Sequence, residues 1–303
     1  MGSQFWWFYD IIAAAAILVM VFLSGRRGIF KSLLHFAGYF LAVIIAFSLS
    51  SSIADGLYKG GVRNSNMKKI EKSVNSTDFI IEVKNHIEEE YNFSGEIDYE
   101  KMQEIYTENN TFGYSFDKQI YQYISSIYVN KIGNENIFYE KLHNGYAKII
   151  SDIISEHLLV YAGETAFRTL SDKPQQMNEL IPLLLEPEDR SGAAEYITDK
   201  YTAKPYKSLI RLISFLAIMV LVVAVTVFLT NTTFRTPGFQ SLGSHIGGGL
   251  VGILLGAVVV VFIAACVRLN VICGENKMLF FNNEAIEKTY LFRHIYDFIA
   301  SNL

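Results

Sequence analysis

A small group of acidic and histidine side chains is the part of this sequence that comes closest to a metal site. Asp152 and Glu156 stand four residues apart, so a helix would place them on one face, with His157 beside them. His86 and Glu90 repeat the spacing. Carboxylates and imidazoles are metal ligands, yet an acidic face exposed to water has the same pattern. We therefore interpret both groups as solvated helix faces.

Sequence motifs of known enzyme classes are absent or incomplete. Residues 113–117 contain only the first half of the G-x-S-x-G motif that presents a nucleophilic serine. The triple glycine at 247–249 lies inside an apolar run, where a phosphate is not expected. Two cysteines, Cys266 and Cys273, are too few for a disulfide framework or a four-cysteine zinc site. We expect no enzymatic activity, no metal and no cofactor, and the lack of a basic patch argues against nucleic acid as a partner.

Ionisable side chains inside apolar runs are the remaining candidates for chemistry. Asp10 either caps a helix at the wet interface or is an intramembrane acid with a partner. Arg211 falls one turn inside a later apolar run, at what we predict to be the same membrane boundary, so an Asp10–Arg211 ion pair is our hypothesis. His35 is a lone histidine, which is more often a hydrogen-bonded residue than a proton carrier.

Four apolar runs must position these residues. They cover residues 5–23, 29–50, 208–230 and 246–267, and each is long enough as a helix to cross a hydrocarbon core of ~30 Å. The first run lacks a basic n-region and a small-residue cleavage site, so we expect a retained span and not a signal peptide. The predicted fold class is an all-α membrane protein with four transmembrane helices in two hairpins (residues 1–55 and 205–270).

Glycines mark one face of the last run. Gly248, Gly252 and Gly256 are four residues apart, and Gly243 and Gly247 form a second such pair just before them. Lipid gives almost no hydrophobic drive for helices to associate, so a face without side chains matters because it allows close backbone contact. We predict tight packing on a neighbouring helix; the alternative is a glycine-rich span without a partner face.

The segment between the two hairpins has a different composition. Residues 51–206 carry 25 acidic and 16 basic side chains, and their apolar residues recur at helical spacing. We predict a soluble, acidic, helical domain over residues 56–204, with one of its helices over residues 70–91. Residues 271–303 are predicted to form an amphipathic helix that lies on the bilayer or caps the bundle.

The short turn between the first two runs indicates the orientation. It contains Arg26, Arg27 and Lys31, whereas no basic residue precedes the first run. Positive charge in short loops favours the cytoplasmic side. The N-terminus and residues 56–204 are therefore expected outside the cytoplasm.

These features together resemble the colicin V production protein family, CvpA. The resemblance rests on Asp10 at the head of the first span, on the turn from Gly25 to Gly28 with Lys31, and on the order of glycines in the last span. The similar residues are Gly25, Arg26, Arg27, Gly28, Lys31, Leu242, Gly243, Gly247, Gly252 and Gly256. The chain departs from the family pattern by inserting about 150 residues between the second and third spans and by having Gln240 and Ser241 before the Leu-Gly pair.

The resemblance implies a multi-pass protein of the bacterial inner membrane with a role in production or export of the toxin colicin V. We expect a non-enzymatic scaffold or accessory factor whose partners are the lipid bilayer and an envelope protein bound through residues 56–204, with a homo-oligomer as a further option. The alternative is a small channel or transporter that uses Asp10, His35, Arg211 and His245 as its polar residues. All four lie near span ends, which argues against that alternative.

Overall fold

All regular secondary structure of the protein is helical over residues 6–93, 97–108, 116–128, 131–186, 189–233, 241–274 and 283–303, which are the residues that the structure, a computed structural model, describes. The α-helices follow one another as α1 (Trp7–Arg27), α2 (Ile29–Leu57), α3 (Arg63–Ser76), α4 (Phe79–Tyr91), α5 (Tyr99–Glu108), α6 (Phe116–Ile127), α7 (Glu135–His157), α8 (Val160–Asp172), α9 (Met177–Leu184), α10 (Ser191–Ile197), α11 (Ala203–Thr233), α12 (Leu242–Cys273), α13 (Asn283–Glu287) and α14 (Phe292–Asn302). Two π-helical turns, Tyr58–Val62 and Thr198–Thr202, follow α2 and α10, and a 3₁₀ turn precedes α9.

Four of these helices, α1, α2, α11 and α12, are long and apolar enough to cross a membrane. The predicted all-α fold with four candidate spans is therefore confirmed. The helices extend beyond the apolar runs that predicted them: α2 continues to Leu57 and α12 runs from Leu242 to Cys273. In the extension of α12, Arg268 is buried and donates to the hydroxyl of Tyr296 at 3.3 Å, and Asn270 donates to the carbonyl of Cys266 at 2.8 Å.

The chain divides into two compact units. We call residues 1–58 with 207–303 the span unit, because they contain the apolar helices, and residues 59–206 the inserted unit.

In the span unit, the glycine face of α12 lies against the backbone of α1. A Cβ atom added at Gly252 would lie 2.6 Å from the Cα of Val21 and 2.7 Å from the carbonyl oxygen of Met20. Gly248 and Gly256 likewise face main-chain atoms of α1. No side chain could occupy these positions without moving a helix, so all three glycines set the distance between α1 and α12.

The two earlier glycines of α12 differ from these three. A Cβ at Gly247 would meet the side chain of Ile29 at 2.7 Å, which is a contact with α2, and a Cβ at Gly243 would have no atom of the described residues within 4 Å. The packing role predicted for Gly243 is therefore wrong. Gly243 belongs to the first turn of α12, before the helix reaches its neighbours.

The third span, α11, contacts α2 through aromatic and small residues. The rings of Phe47 and Phe215 are 4.9 Å apart, and Gly38 faces the side chain of Thr226. The last span, in contrast, lies on α1 and α2. The helices of the two sequence hairpins therefore interleave.

The inserted unit has a core of its own, built from aromatic and aliphatic side chains of several helices. Phe79, Tyr106, Phe138, Leu142 and Tyr146 are among its most buried members. None of the acidic side chains that the structure describes in this unit is buried, so the excess negative charge lies on its surface.

One predicted helix of this unit, residues 70–91, is in fact two. The chain bends after Ser76, and the Asp78 side chain accepts hydrogen bonds from the backbone N–H groups of Ile80 and Ile81, at 3.0 and 3.2 Å, which starts α4. Arg190 donates to the carbonyls of Val74 and Thr77 at the end of α3, both at 3.0 Å. The Asp78 N-cap thus provides hydrogen-bond acceptors at the start of α4, and Arg190 provides donors to the carbonyls at the end of α3.

Gly252→Ala tests the packing of α12 on α1. We expect the free energy of unfolding in detergent to fall by ~1–3 kcal/mol, as for overpacked cores, because the new methyl group meets main-chain atoms. Gly243→Ala is the matched control, since its methyl group meets open space; it should be neutral or stabilise by up to ~1 kcal/mol. Equal effects of the two substitutions on the unfolding transition would contradict the packing.

Candidate functional site

The carboxylate of Asp10, in the first turn of α1, binds the N-terminus of α14. Its Oδ2 accepts a hydrogen bond from the backbone N–H of Tyr290 at 2.8 Å, and its Oδ1 accepts from Leu291 and Phe292, both at 3.0 Å. In the chain just before α14, the Thr289 hydroxyl accepts from the N–H of Arg293 at 2.8 Å, whereas Leu291 at the N-cap position supplies no side-chain acceptor. Asp10, an anion from another helix, therefore supplies the acceptors for the preceding N–H groups, where the helix dipole also favours negative charge.

The predicted ion pair between Asp10 and Arg211 is not formed among the residues that the structure describes. Both carboxylate oxygens of Asp10 are occupied by the three backbone N–H groups. The Arg211 Nε is buried without a hydrogen-bond partner in the described part of the chain. The hypothesis was wrong because it considered side-chain charges only, whereas the partner of Asp10 is the main chain.

Aromatic rings surround this contact. Tyr9 stacks on Phe292 with ring centroids 4.9 Å apart, and Trp6 meets Tyr290 edge to face at 5.4 Å. Phe298 lies 5.7 Å from Phe47 of α2. The C-terminal helix therefore caps the helix bundle, which is one of the two placements predicted for it.

The turn between α1 and α2 is held by the start of α12. Gly28 has a φ of 81°, a left-handed conformation that favours glycine, and its N–H closes α1 on the Ser24 carbonyl at 3.1 Å. The His245 Nδ1 lies 2.8 Å from the Gly25 carbonyl oxygen, so this nitrogen carries the proton. The Ser244 hydroxyl accepts from the N–H of Ile29 at 3.3 Å. Both residues of α12 thus fasten the turn.

The three basic residues of the turn lie around this contact. Arg26 is exposed and its guanidinium lies 5.7 Å from the ring centroid of Phe22, while Arg27 and Lys31 are half-buried. The turn between α1 and α2 is therefore surrounded by positively charged side chains. It comprises Gly25, Arg26, Arg27, Gly28 and Lys31.

His35 is the buried histidine of the span unit, with 1% of its surface exposed. Its Nδ1 donates to the Lys31 carbonyl one turn earlier, at 2.8 Å, and its Nε2 is 3.4 Å from the Thr230 hydroxyl of α11. Next to it the Ser32 hydroxyl donates to the Ser24 carbonyl of α1 at 2.9 Å. These polar groups link α2 to its neighbours where the helices are otherwise apolar.

The four residues of the channel alternative are therefore engaged in different places. Asp10 binds backbone N–H groups at one end of α1, and His245 binds a backbone carbonyl at the other. His35 bonds within the bundle, and Arg211 is near the start of α11. The described residues do not bring these four side chains together along one path.

In the inserted unit, a partly buried chain of polar groups runs through Asp117 and His143. The His143 Nε2 is 2.8 Å from the Asp117 carboxylate, Tyr146 donates to the same carboxylate at 3.4 Å, and Tyr106 is 2.8 Å from Tyr146. Burial raises the pKa of both tyrosines well above their usual range, so they stay protonated and serve as hydrogen-bond donors. The arrangement links α5, α6 and α7, and sequence spacing did not reveal it because its members come from three helices.

The acidic and histidine residues that most resembled a metal site in the sequence make hydrogen bonds and ion pairs within the inserted unit or are exposed. Glu156 accepts a hydrogen bond from Ser73, and Asp152 stays exposed. His86 bonds to the carbonyl of Lys141 at 3.1 Å, and Glu90 pairs with the Lys141 ammonium at 3.0 Å. In the described part of the chain, no group of three potential ligands is placed to hold a metal ion.

Comparisons with known proteins yielded no match to a protein-family model, a curated protein or a solved structure. The resemblance to the CvpA family therefore depends on the acidic, basic and glycine residues named from the sequence.

Asp10→Ala tests the cap on α14. Loss of an N-cap costs ~0.5–2 kcal/mol, so amide hydrogens of residues 292–302 should exchange roughly 2–30-fold faster where exchange follows local opening. Asp297→Ala, an exposed acid on α14 itself, is the matched control and should leave exchange unchanged. Arg211→Ala should also leave the exchange rate unchanged. If Arg211→Ala accelerated exchange as much as Asp10→Ala, the ion-pair hypothesis would regain support.

Proposed function

We propose that this protein is a CvpA-like scaffold of the bacterial inner membrane that presents its inserted unit to an envelope protein, as an accessory factor in production or export of a peptide toxin. The observation that carries the proposal is the division of the chain: four candidate spans in one unit and a second unit with its own core between spans two and three. A domain inserted between membrane helices is a common means of holding a binding surface at the membrane.

The contacts that hold the helices of the span unit together support the proposed scaffold role. Glycines of α12 bring main chains together, Asp10 fixes the C-terminal helix, and His245 fixes the first turn. Each of these polar groups is bonded to backbone, which favours a structural role over a catalytic one.

The surface of the inserted unit supports binding of a partner. Its described acidic side chains are all at least partly exposed, and residues 51–206 have a net charge of about minus 9. A surface of one sign attracts partners of the other sign and speeds encounter. The proposed partner therefore presents positive charge.

We further propose that the inserted unit lies outside the cytoplasm. The support is the basic turn between α1 and α2, which favours the cytoplasmic side for that turn and for the start of α12 bonded to it. The end of α2 and the start of α11 would then emerge on the opposite side.

Cysteine labelling tests this orientation. Cys266 and Cys273 are first replaced by alanine, and Ser126→Cys, exposed on α6, and Leu242→Cys, exposed at the start of α12, are introduced one at a time. A membrane-impermeant maleimide should label Ser126→Cys in intact cells and Leu242→Cys only in inverted vesicles. The opposite labelling would place the inserted unit in the cytoplasm and contradict the proposal.

Photo-crosslinking tests the partner. A photoreactive amino acid at exposed positions Ser126 and Glu140 should give a discrete protein adduct in cells, whereas the same residue at lipid-facing Leu221 should not. Because the proposed contact is electrostatic, lysine substitutions of exposed acids near the crosslinked position should reduce the adduct. If no exposed position of the inserted unit crosslinked more than the Leu221 control, the proposed scaffold role would be contradicted.

A further inference from the structure

A groove about 410 Å³ in volume opens among all four helices of the span unit. Its volume lies within the range of small-molecule sites. The lining residues come from the central parts of the helices: Met20 of α1, Tyr39 of α2, Met219, Val220, Val223 and Ala224 of α11, and Val258, Val259 and Phe262 of α12.

The groove exists because of where the four helices make their close contacts. The glycines of α12 hold it against α1, and Gly38 of α2 holds α11 through Thr226. Between these contacts a gap remains, lined by Val223 of α11 and Val259 of α12 among others. We attribute the groove to this packing pattern.

The chemistry of the lining selects hydrocarbon. Apart from the hydroxyl of Tyr39, the lining side chains are aliphatic, aromatic or thioether. A polar or charged ligand would find almost no hydrogen-bond partners here and would lose those it had in water. Methionine side chains at two of the nine positions adapt readily to the shape of a flexible chain.

The surroundings supply that hydrocarbon. Val220 and Ala224 at the rim are exposed on the side of α11 that faces the bilayer, so a chain can enter from the lipid. Protein interiors are close-packed, and a gap of this size beside fluid lipid is expected to fill. We propose that the groove is a binding site for one acyl chain of a membrane phospholipid.

Affinity at such a site cannot come from the hydrophobic effect, because the bilayer is as apolar as the groove. It must come from van der Waals contacts of the chain with the lining, which depend on shape. The proposal therefore predicts that a phospholipid survives extraction into detergent and that a larger side chain in the groove displaces it.

The test is the lipid content of the purified full chain, measured by native mass spectrometry and by phosphate analysis after extensive washing in detergent. The wild-type chain should retain a single phospholipid. Val223→Phe, which fills the groove, should lose it. Val225→Phe, two residues along the same helix and facing lipid, should retain it.

Val259→Phe on α12 is a second filling variant, used in case Val223→Phe fails to fold; thermal unfolding in detergent reports whether each variant is folded. A wild-type chain that retains no phospholipid, or that carries only detergent in the groove, would overturn the proposal. Equal retention in folded filling variants and in Val225→Phe would also overturn it, because the lipid would then lie elsewhere.

Discussion

The close approach of the α12 main chain to that of α1 is the constraint on which the span unit depends. In lipid, burying apolar side chains gives no net drive for association, so helices must gain energy from contact distance. Gly248, Gly252 and Gly256 have no side chains to hold the two helices apart, and the nearest atom that faces each of them belongs to the backbone of α1. These contacts fix the register between α1 and α12.

That register places the polar groups at both ends of α1. At one end it brings His245 to the carbonyl of Gly25, and at the other it brings the tail that follows α12 close enough for α14 to reach Asp10. Both contacts join a side chain to the backbone, which in a membrane must find partners within the protein. They also explain why α12, although last among the spans, lies against the first helix and not only beside its sequence neighbour α11. The groove between α11 and α12 is the space that this arrangement leaves.

Much of the architecture could be predicted from the sequence, because membrane spans are determined by local composition. The four apolar runs became α1, α2, α11 and α12, and the small-residue spacing in α12 pointed to a face that would meet another helix. Which helix it would meet could not be predicted, since a face without side chains has no complementary pattern in its partner. For the same reason Gly243 was assigned to the face although it lies before the contact begins.

The polar contacts were less predictable because they involve the main chain. Asp10 was recognised as a notable acid, yet the only visible partner in the sequence was another side chain, Arg211, while its actual partners are three backbone N–H groups. The break between α3 and α4 was missed because Ile70 and Val83 continue an apolar pattern across it. Asp78, which is a good N-cap, was the local signal that could have revealed it.

Engineered cysteines can measure the contact between α1 and α12 directly. A Cβ at Gly249 would lie 3.7 Å from the Cγ1 of Val21, an ordinary packing distance, so a Val21→Cys, Gly249→Cys pair can approach disulfide geometry without displacing either helix. With Cys266 and Cys273 replaced by alanine, mild oxidation in native membranes should close this disulfide rapidly. Val225→Cys with Gly249→Cys is the control and should remain reduced, because Val225 of α11 faces lipid. Oxidation of the α11–α12 pair but not of the α1–α12 pair would contradict the account.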